Sequence, residues 1–300
     1  MLVQRAAGID DVMDFIHGYL ILKSYIFSLK TRVLEKAYPN ENYASLWRTF
    51  LKKANFKELL SDAVAKISSP VDGGFIDIYD TMDRASYFAL IHAQHPNITL
   101  GFIKDVDLWN LWLEDGIYRI VRETIVDLLG IGKGDRIIDF GCGSASPCFY
   151  ADIVGCSGYY AGVDFSKPML RLAEMKVRSQ GLNDWVNLRL DSADARQEFK
   201  RKYDFAVLSS ILEYVRSMRG VLRNSLEAID YDGKVVVFSE LFSDVEPEKM
   251  DIFRLYYSLI PSFNDFPSVS EILEMMDEIG ANYHYRLIGK HFLLLEVNGK

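Results

Sequence analysis

Gly134-Asp135-Arg136-Ile137-Ile138-Asp139-Phe140-Gly141-Cys142-Gly143 is the stretch on which the fold of this chain turns. The run Arg136-Ile137-Ile138 predicts a buried strand. It leads into Asp139 and then into Gly141 and Gly143, with the small residues Ser144, Ala145 and Ser146 opening the next element. A strand that stops at two glycines one residue apart lets main chain come close to a bound ligand. A second strand, Tyr159-Tyr160-Ala161-Gly162-Val163, ends at Asp164, 21 positions after Gly143. In nucleotide-binding α/β sheets an acid at about this offset accepts hydrogen bonds from ribose hydroxyls.

The glycine spacing narrows the ligand. A dinucleotide fingerprint needs G-x-G-x-x-G with the pyrophosphate on a helix N-terminus. Here Gly141-Cys142-Gly143 is followed by Ser144-Ala145-Ser146-Pro147, so the third glycine is absent. Asp139 would also set a carboxylate beside a phosphate. That carboxylate suits a cationic or amino-bearing ligand better.

The stretch Asp139-Phe140-Gly141-Cys142-Gly143-Ser144 closely resembles the first motif of the class I S-adenosylmethionine-dependent methyltransferases. The resemblance runs over residues 117–300, with the later motifs in order. It implies an α/β fold with a Rossmann-like, seven-stranded, mostly parallel sheet and a terminal antiparallel hairpin. It also implies S-adenosylmethionine as cofactor, held by a loop of Asp139, Gly141, Cys142 and Gly143. Gly162-Val163-Asp164-Phe165-Ser166-Lys167-Pro168-Met169 resembles the second-strand motif, in which Asp164 takes the place of the acid that binds both ribose hydroxyls. Ser166 is an N-cap candidate for a helix opening near Pro168. Phe165 and Met169 fit beside the adenine or in the core. A strand over 186–190 ends in Asp191-Ser192-Ala193-Asp194, where Asp191 or Ser192 is expected to touch the adenine. Residues 203–210 read as the fourth strand, with Ser209 at its cofactor end, and Asp232 to Glu240 as a turn and fifth strand. Residues 283–288 and 291–297 give the closing hairpin.

Composition fits a soluble enzyme. The 300 residues suffice for one large or two modest domains with a substantial core. Hydrophobic content of 49% and charged content of 25% are ordinary globular values. The formal charge of −8 and the lack of any run of five basic residues disfavour nucleic acid as partner. The first residues show no charged region followed by a clean apolar stretch, and the apolar run 15–29 is broken by His17, Lys23 and Ser24. Such a run is too short to span a bilayer, so a cytoplasmic protein without membrane insertion is expected. Cys142, Cys148 and Cys156 are spaced unlike a zinc site, so no metal is expected and reduced packing cysteines are.

The first 115 residues form a different region. Apolar residues at three- and four-residue steps predict helices over 12–33, 43–51 and 56–67. After the Asp72-Gly73-Gly74 turn a fourth helix is expected over 75–91, broken by His95-Pro96-Asn97. A fifth pattern runs over 107–129 into the first strand. The expected division is a helical N-terminal domain, 1–115, and a cofactor-binding domain, 116–300. In the small-molecule methyltransferases that the chain resembles, such helical additions roof the acceptor pocket, form a homodimer interface, or both. Tyr79, Tyr87, Phe88, Phe102, Trp109 and Trp112 would suit an apolar or planar acceptor.

Methyl transfer from a sulfonium is an in-line displacement, so the protein supplies mostly positioning, with a base where the acceptor must lose a proton. After the fourth strand stands Ser209-Ser210-Ile211-Leu212 in place of an Asn/Asp-Pro-Pro-aromatic motif, which disfavours amide-type acceptors. The Pro147-Cys148 pair follows the first strand and reads as structural. Glu213 and Tyr214, at the carboxyl edge of the sheet, are the leading catalytic candidates. His92, His95, Tyr256 and Tyr257 are the others. The sequence therefore predicts O- or C-methylation of a small, largely apolar acceptor. An NAD-type oxidoreductase and a non-catalytic methyltransferase-like partner subunit are the alternatives.

Overall fold

The structure, a computed structural model, describes residues 2–53, 55–67, 76–92, 100–114 and 116–298, and leaves out the side chains of residues 2–7, 56 and 57. The chain opens with α1 (Leu2–Thr31), α2 (Glu41–Lys53), α3 (Phe56–Ile67), α4 (Ile76–Ile91), α5 (Val106–Glu114) and α6 (Gly116–Leu129). Then follow β1 (Arg136–Phe140), α7 (Ser146–Val154), β2 (Tyr159–Asp164), α8 (Lys167–Ser179), β3 (Val186–Leu190) and β4 (Tyr203–Ser209). The last elements are α9 (Met218–Ala228), β5 (Ile229–Phe238), α10 (Met250–Tyr257), α11 (Val269–Ile279), β6 (Tyr283–Ile288) and β7 (Phe292–Val297). The expected Asp72-Gly73-Gly74 turn and His95-Pro96-Asn97 break lie outside the described residues. By its contacts the chain divides into two units: Met1–Ile9, Phe102–Glu246 and Asn264–Lys300 in one, Asp10–Gly101 and Pro247–Phe263 in the other.

The first unit holds the sheet, seven-stranded among the described residues, in the order β3-β2-β1-β4-β5-β7-β6. β1 to β5 are mutually parallel, and β7 runs antiparallel between β5 and β6. The expected α/β sheet with its closing hairpin is thus the observed one. Ile137, Ile138, Val207, Val235, Val236 and Val237 are all fully buried, as β-branched residues in strands covered on both faces should be. On one face Ile138, Phe140, Ala206, Leu208, Val235 and Val237 pack with Val221 and Leu222 of α9 and with Ile272 and Met276 of α11.

Topology fixes where a ligand goes. From β1 the chain winds outward through α7, β2 and α8 to β3. From β4 it winds the other way through α9 to β5. The loops after β1 and β4 therefore separate, and in open α/β sheets this switch point is the ligand crevice. Ser166 caps α8, its Oγ accepting from Met169 N at 3.4 Å with Pro168 in the first turn, as the sequence indicates.

Two elements differ from expectation. The pattern over 107–129 is two helices, α5 and α6, rather than one. Glycine is a poor helix-interior residue, and Gly116 opens α6, while Arg122 Nη1 donates to Leu113 O at 2.9 Å and satisfies a carbonyl at the end of α5. α5 also belongs by contact to the sheet unit, although it precedes residue 116. The Asp232-Gly233 turn sits inside β5 as a bulge, because the ladder already begins at Ile229, and the register jumps from Tyr203↔Ile229 to Phe205↔Lys234.

The second unit is helical and has its own aromatic core. Trp47 is fully buried, stacks on Phe27 at 4.0 Å and meets the edge of Tyr256 at 5.9 Å. Buried Lys249 lies 2.6 Å from Asp14. Burial, with Lys66 and Lys249 nearby, lowers the His17 pKa to about 4. No described helix of the chain is long and apolar enough to cross a membrane.

Candidate functional site

β1 ends at Phe140, and the next residues take backbone shapes that explain their glycines. Gly141 and Gly143 have φ of 78° and 58°. A Cβ on Gly141 would stand 2.7 Å from Ile211, and one on Gly143 would stand 2.9 Å from Leu113. Gly141 N donates to Val163 O at 2.7 Å, which folds the loop over the end of β2. Asp164 then pins it: Oδ2 accepts from Gly143 N at 2.9 Å and Oδ1 from Ser166 N at 2.7 Å. Each carboxylate oxygen keeps a second lone pair, so Asp164 can still accept ligand hydroxyls. Burial raises its pKa, and the backbone N–H groups of Ser166, Gly143 and Phe165 oppose that rise.

Asp139 lies beneath the loop. It is fully buried and Tyr160 donates to its Oδ2 at 2.8 Å. Burial first, and then the charge of Asp164, raise its pKa to about 7, against the pull of Tyr160 and Arg122.

Above the loop is a cavity built wholly within the sheet unit. Gly141, Cys142, Gly143 and Ser146 form one side, and Asp164, Phe165 and Met169 continue it. Ser209, Ser210, Ile211 and Tyr214 follow β4, and Glu240 follows β5. Phe102, Trp109, Trp112, Leu113, Tyr118 and Arg122 close the remaining wall. The rings form a chain: Tyr214 to Phe102 at 5.0 Å, Phe102 to Trp109 at 4.4 Å, Trp109 to Trp112 at 5.1 Å, and Trp112 to Tyr118 at 5.0 Å. α5 also reaches the glycine loop, where Ser144 Oγ donates to Asn110 Oδ1 at 2.7 Å.

Two buried charges face this cavity. Arg122, 6% exposed, sits over the Phe149 ring at 5.4 Å, and its Nε has no partner among the described residues. Glu240, 3% exposed, accepts from the Tyr118 hydroxyl and from Ser210 Oγ (2.9 Å), both on Oε1. Its Oε2 has no partner among the described residues.

Of the residues singled out from sequence, the cavity brings together Gly141, Cys142, Gly143, Asp164, Phe165, Met169, Ser209 and Tyr214. Four stand off it. Asp139 is under the loop. Asp191 N donates to Asp164 O at 3.1 Å, and the Asp191 side chain accepts from Ser192 N. Ser192 Oγ donates to Asp194 Oδ1. Glu213 is fully buried behind the cavity lining, with Ser239 Oγ donating to its carboxylate. Burial and the neighbouring Glu240 raise the Glu213 pKa to about 8. Tyr256 and Tyr257 belong to the helical unit, near Asp83 and Tyr79 (3.4 and 3.5 Å). His92 is exposed at the end of that unit's α4, and His95 lies outside the described residues. The sequence reading left Arg122, Tyr118, Ser210 and Glu240 without a role. Only for Ser210 and Glu240 was there a signal, their place at the carboxyl ends of β4 and β5.

Residues 138–235 match the family described as a methyltransferase domain. This match supports the reading of the chain as a class I S-adenosylmethionine-dependent methyltransferase. S-adenosylmethionine is the expected cofactor of such a methyltransferase. An uncharacterized protein of Methanocaldococcus jannaschii is 29% identical over 99% of this chain and 78% of its own length. The ubiquinone/menaquinone biosynthesis C-methyltransferase UbiE of Pasteurella multocida is 26% identical over 56% of this chain. That match spans 60% of the UbiE length. Among solved structures, a putative O-methyltransferase from Nostoc punctiforme superposes with a TM-score of 0.52 at 16% identity. It covers 75% of this chain and 69% of its own, and it shows the shared fold.

The cavity of this methyltransferase fits the cofactor on two structural grounds. The glycine loop is a cradle that any Cβ would fill, and the one buried cation with an unpaired N–H, Arg122, faces it among the described residues. A ligand carrying hydroxyls, a carboxylate and an amino group matches such a donor set.

Proposed function

We propose that this methyltransferase acts on a small, largely apolar acceptor, on oxygen or carbon, in the cavity above the glycine loop. One observation carries the proposal: the loop and Asp164 share a single cavity with a continuous wall of aromatic rings. Aromatic side chains bury much apolar area and favour planar partners through stacked and edge contacts. The UbiE relative is named for methylation in quinone biosynthesis, an acceptor class of this kind.

In this reading Asp164 holds the ribose hydroxyls and the main chain of Gly141, Cys142 and Gly143 lies along the cofactor. Arg122 takes its carboxylate, Phe165 and Met169 flank the adenine, and Ser209 borders the donor end. Asp139, Asp191 and Ser192 act one layer back by fixing the loop and Asp164. The cofactor supplies an activated methyl group on a sulfonium. The chain's own contribution is to align the acceptor, exclude water with its aromatic wall and offer an acceptor for a departing proton. Tyr214 lines the cavity and Glu213 backs it, so of the two only Tyr214 can meet the acceptor directly. The roof assigned to residues 1–115 rests on α5, whose Trp109 and Trp112 line the cavity. The remaining helices of that stretch are proposed to close the site or to form a homodimer.

S-adenosylhomocysteine is expected to raise the melting temperature and NAD to leave it unchanged, since only a ligand of the folded state stabilises it. Calorimetry that detects no binding of S-adenosylhomocysteine at millimolar concentration would sink the proposal. Sedimentation velocity reads the dimer.

A further inference from the structure

We propose that Glu240 is the group that takes the acceptor's proton, and that the acceptor presents to it a hydroxyl on an aromatic ring. The inference rests on the methyl-transfer reading above and adds the base and the substrate class.

Position comes first. Glu240 follows β5 at the carboxyl edge of the sheet, in the cavity that holds the glycine loop and Asp164. Its orientation is built in. Tyr118 on α6 and Ser210 after β4 both donate to Oε1, which leaves Oε2 as the open oxygen. Ser210 is held at φ 47°, a left-handed conformation that is costly for a non-glycine residue and that collects at functional sites. In that conformation Ser210 Oγ donates to Glu240 while Ser210 N donates to Phe238 O at 2.9 Å. A buried carboxylate oxygen left without a donor is costly, so Oε2 favours a ligand O–H.

The surroundings choose the kind of O–H. Tyr118, which donates to Glu240, also continues the ring chain through Trp112 and Trp109. A planar ring fits that wall, and a hydroxyl on it reaches the carboxylate. An amine fits less well. The methyl donor is a cation, Arg122 already brings another, and a carboxylate would hold an amine in its non-nucleophilic ammonium form.

Proton affinity agrees. Burial raises Glu240 from the ordinary glutamate range, against the Tyr118 and Ser210 bonds, which moves it toward that of an aromatic hydroxyl. The titratable groups around it are Tyr118 of α6, Glu213 of the turn Leu212–Tyr214 and, in the shared cavity, Arg122, Tyr214, Cys142 and Asp164. Glu213 is pushed up to about 8 by burial first and then by the Glu240 charge.

The step balances. The acceptor oxygen forms a bond to the methyl carbon as the methyl–sulfur bond breaks, and that bond's electron pair stays on sulfur, which becomes a neutral thioether. The hydroxyl proton passes to Glu240 Oε2, giving a neutral carboxyl that later returns the proton to water.

The test uses para-nitrophenol, with para-nitroanisole as its methylated counterpart, titrated by calorimetry into protein saturated with S-adenosylhomocysteine. Wild type is expected to bind neutral para-nitrophenol about tenfold or more tightly than Glu240→Gln, the value of a hydrogen bond to a charged group. Its affinity should fall as the phenol ionises, because two anions then meet, and Glu240→Gln should lose that pH dependence. The anisole should bind both proteins alike. Equal affinities with the same pH dependence in both proteins overturn the proposal, as does the absence of phenol binding. Benzylamine binding wild type more tightly than the phenol, and losing that in Glu240→Gln, overturns it in favour of a cation site. Should Glu240→Gln not fold, the wild-type pH profiles of phenol and anisole decide alone, and no difference between them overturns the proposal. Failure of the first titration, with S-adenosylhomocysteine itself, defeats instead the reading of the cavity on which this inference stands.

Discussion

The two ends of the cavity are made of different material. The end proposed to hold the methyl donor is main chain: Gly141 and Gly143 in left-handed conformations, their amides bonded to Val163 O and to Asp164. The end proposed to hold the acceptor is side chain: Phe102, Trp109, Trp112, Tyr118 and Glu240, drawn from a loop, two helices and a strand end. Backbone geometry tolerates almost no substitution, because a Cβ in the wrong place meets both strain and its neighbours. A wall of side chains can be rebuilt residue by residue. One end is expected to be fixed in chemistry and the other free to change its acceptor.

The largest effect should come from the main-chain end. Gly141→Val places a β-branched side chain at φ 78°, with its Cβ 2.7 Å from Ile211. We expect S-adenosylhomocysteine binding to be undetectable by calorimetry. Trimming the neighbour in Gly141→Val/Ile211→Ala should not restore it, because the positive φ remains. Full rescue would show that space, not backbone, limits the donor end.

The next effect is a pH slope from beneath the same loop. Asp139 has its pKa raised to about 7, first by burial, so folding makes it hold a proton that the unfolded chain has released. The stability this contributes is full below the unfolded pKa of about 4 and is lost as pH rises through about 7. One such proton is worth up to about 1.4 kcal/mol per pH unit within that window. Urea unfolding of Asp139→Asn at several pH values should show a curve flatter than wild type by part of that slope. An unchanged slope would mean that Asp139 is ionised throughout.

Asp164→Ala comes third. It removes the acceptor of Gly143 N and Ser166 N together with the proposed ribose partner. S-adenosylhomocysteine affinity should drop by about 1.5 to 3 kcal/mol, the range for hydrogen bonds to a charged group. Binding like wild type would place the ligand elsewhere on the sheet.

The same contrast explains what could be read in the sequence. The glycine loop and Asp164 lie within 30 contiguous residues, and each has a conformational reason that a short stretch displays. The mostly parallel sheet and its closing hairpin followed from the resemblance those motifs carry, because parallel strands joined by helices leave few topologies. Arg122 was illegible, for inside an amphipathic helix it looks like any solvated arginine, and only tertiary burial sets it apart. Glu213 misled in the opposite way. It follows the fourth strand as a cavity residue should, yet the turn Leu212–Tyr214 sends Tyr214 to the cavity and buries Glu213 against Ser239. Adjacent residues of so tight a turn point in different directions, and sequence alone does not say which faces in. The division at residue 115 was drawn from helical periodicity, which cannot report that α5 makes its contacts with the sheet unit.

The smallest expected effect belongs to the side-chain end and sharpens the comparison most. Tyr118→Phe keeps the ring against Trp112 and removes only the hydroxyl that donates to Glu240. Losing that bond should cost about 0.5 to 1.5 kcal/mol of unfolding free energy, because Ser210 still donates to the same oxygen. It should also raise Glu240 further, since the Tyr118 bond opposes the effect of burial. The Tyr118 hydroxyl bonds Glu240 whereas Asp164 bonds Gly143 N and Ser166 N, so S-adenosylhomocysteine affinity should stay within about threefold of wild type, as for independent sites. Denaturation and calorimetry on one preparation measure both quantities. A cofactor affinity that falls with the hydroxyl would join the two ends into one network, and the freedom claimed for the acceptor wall would go with it.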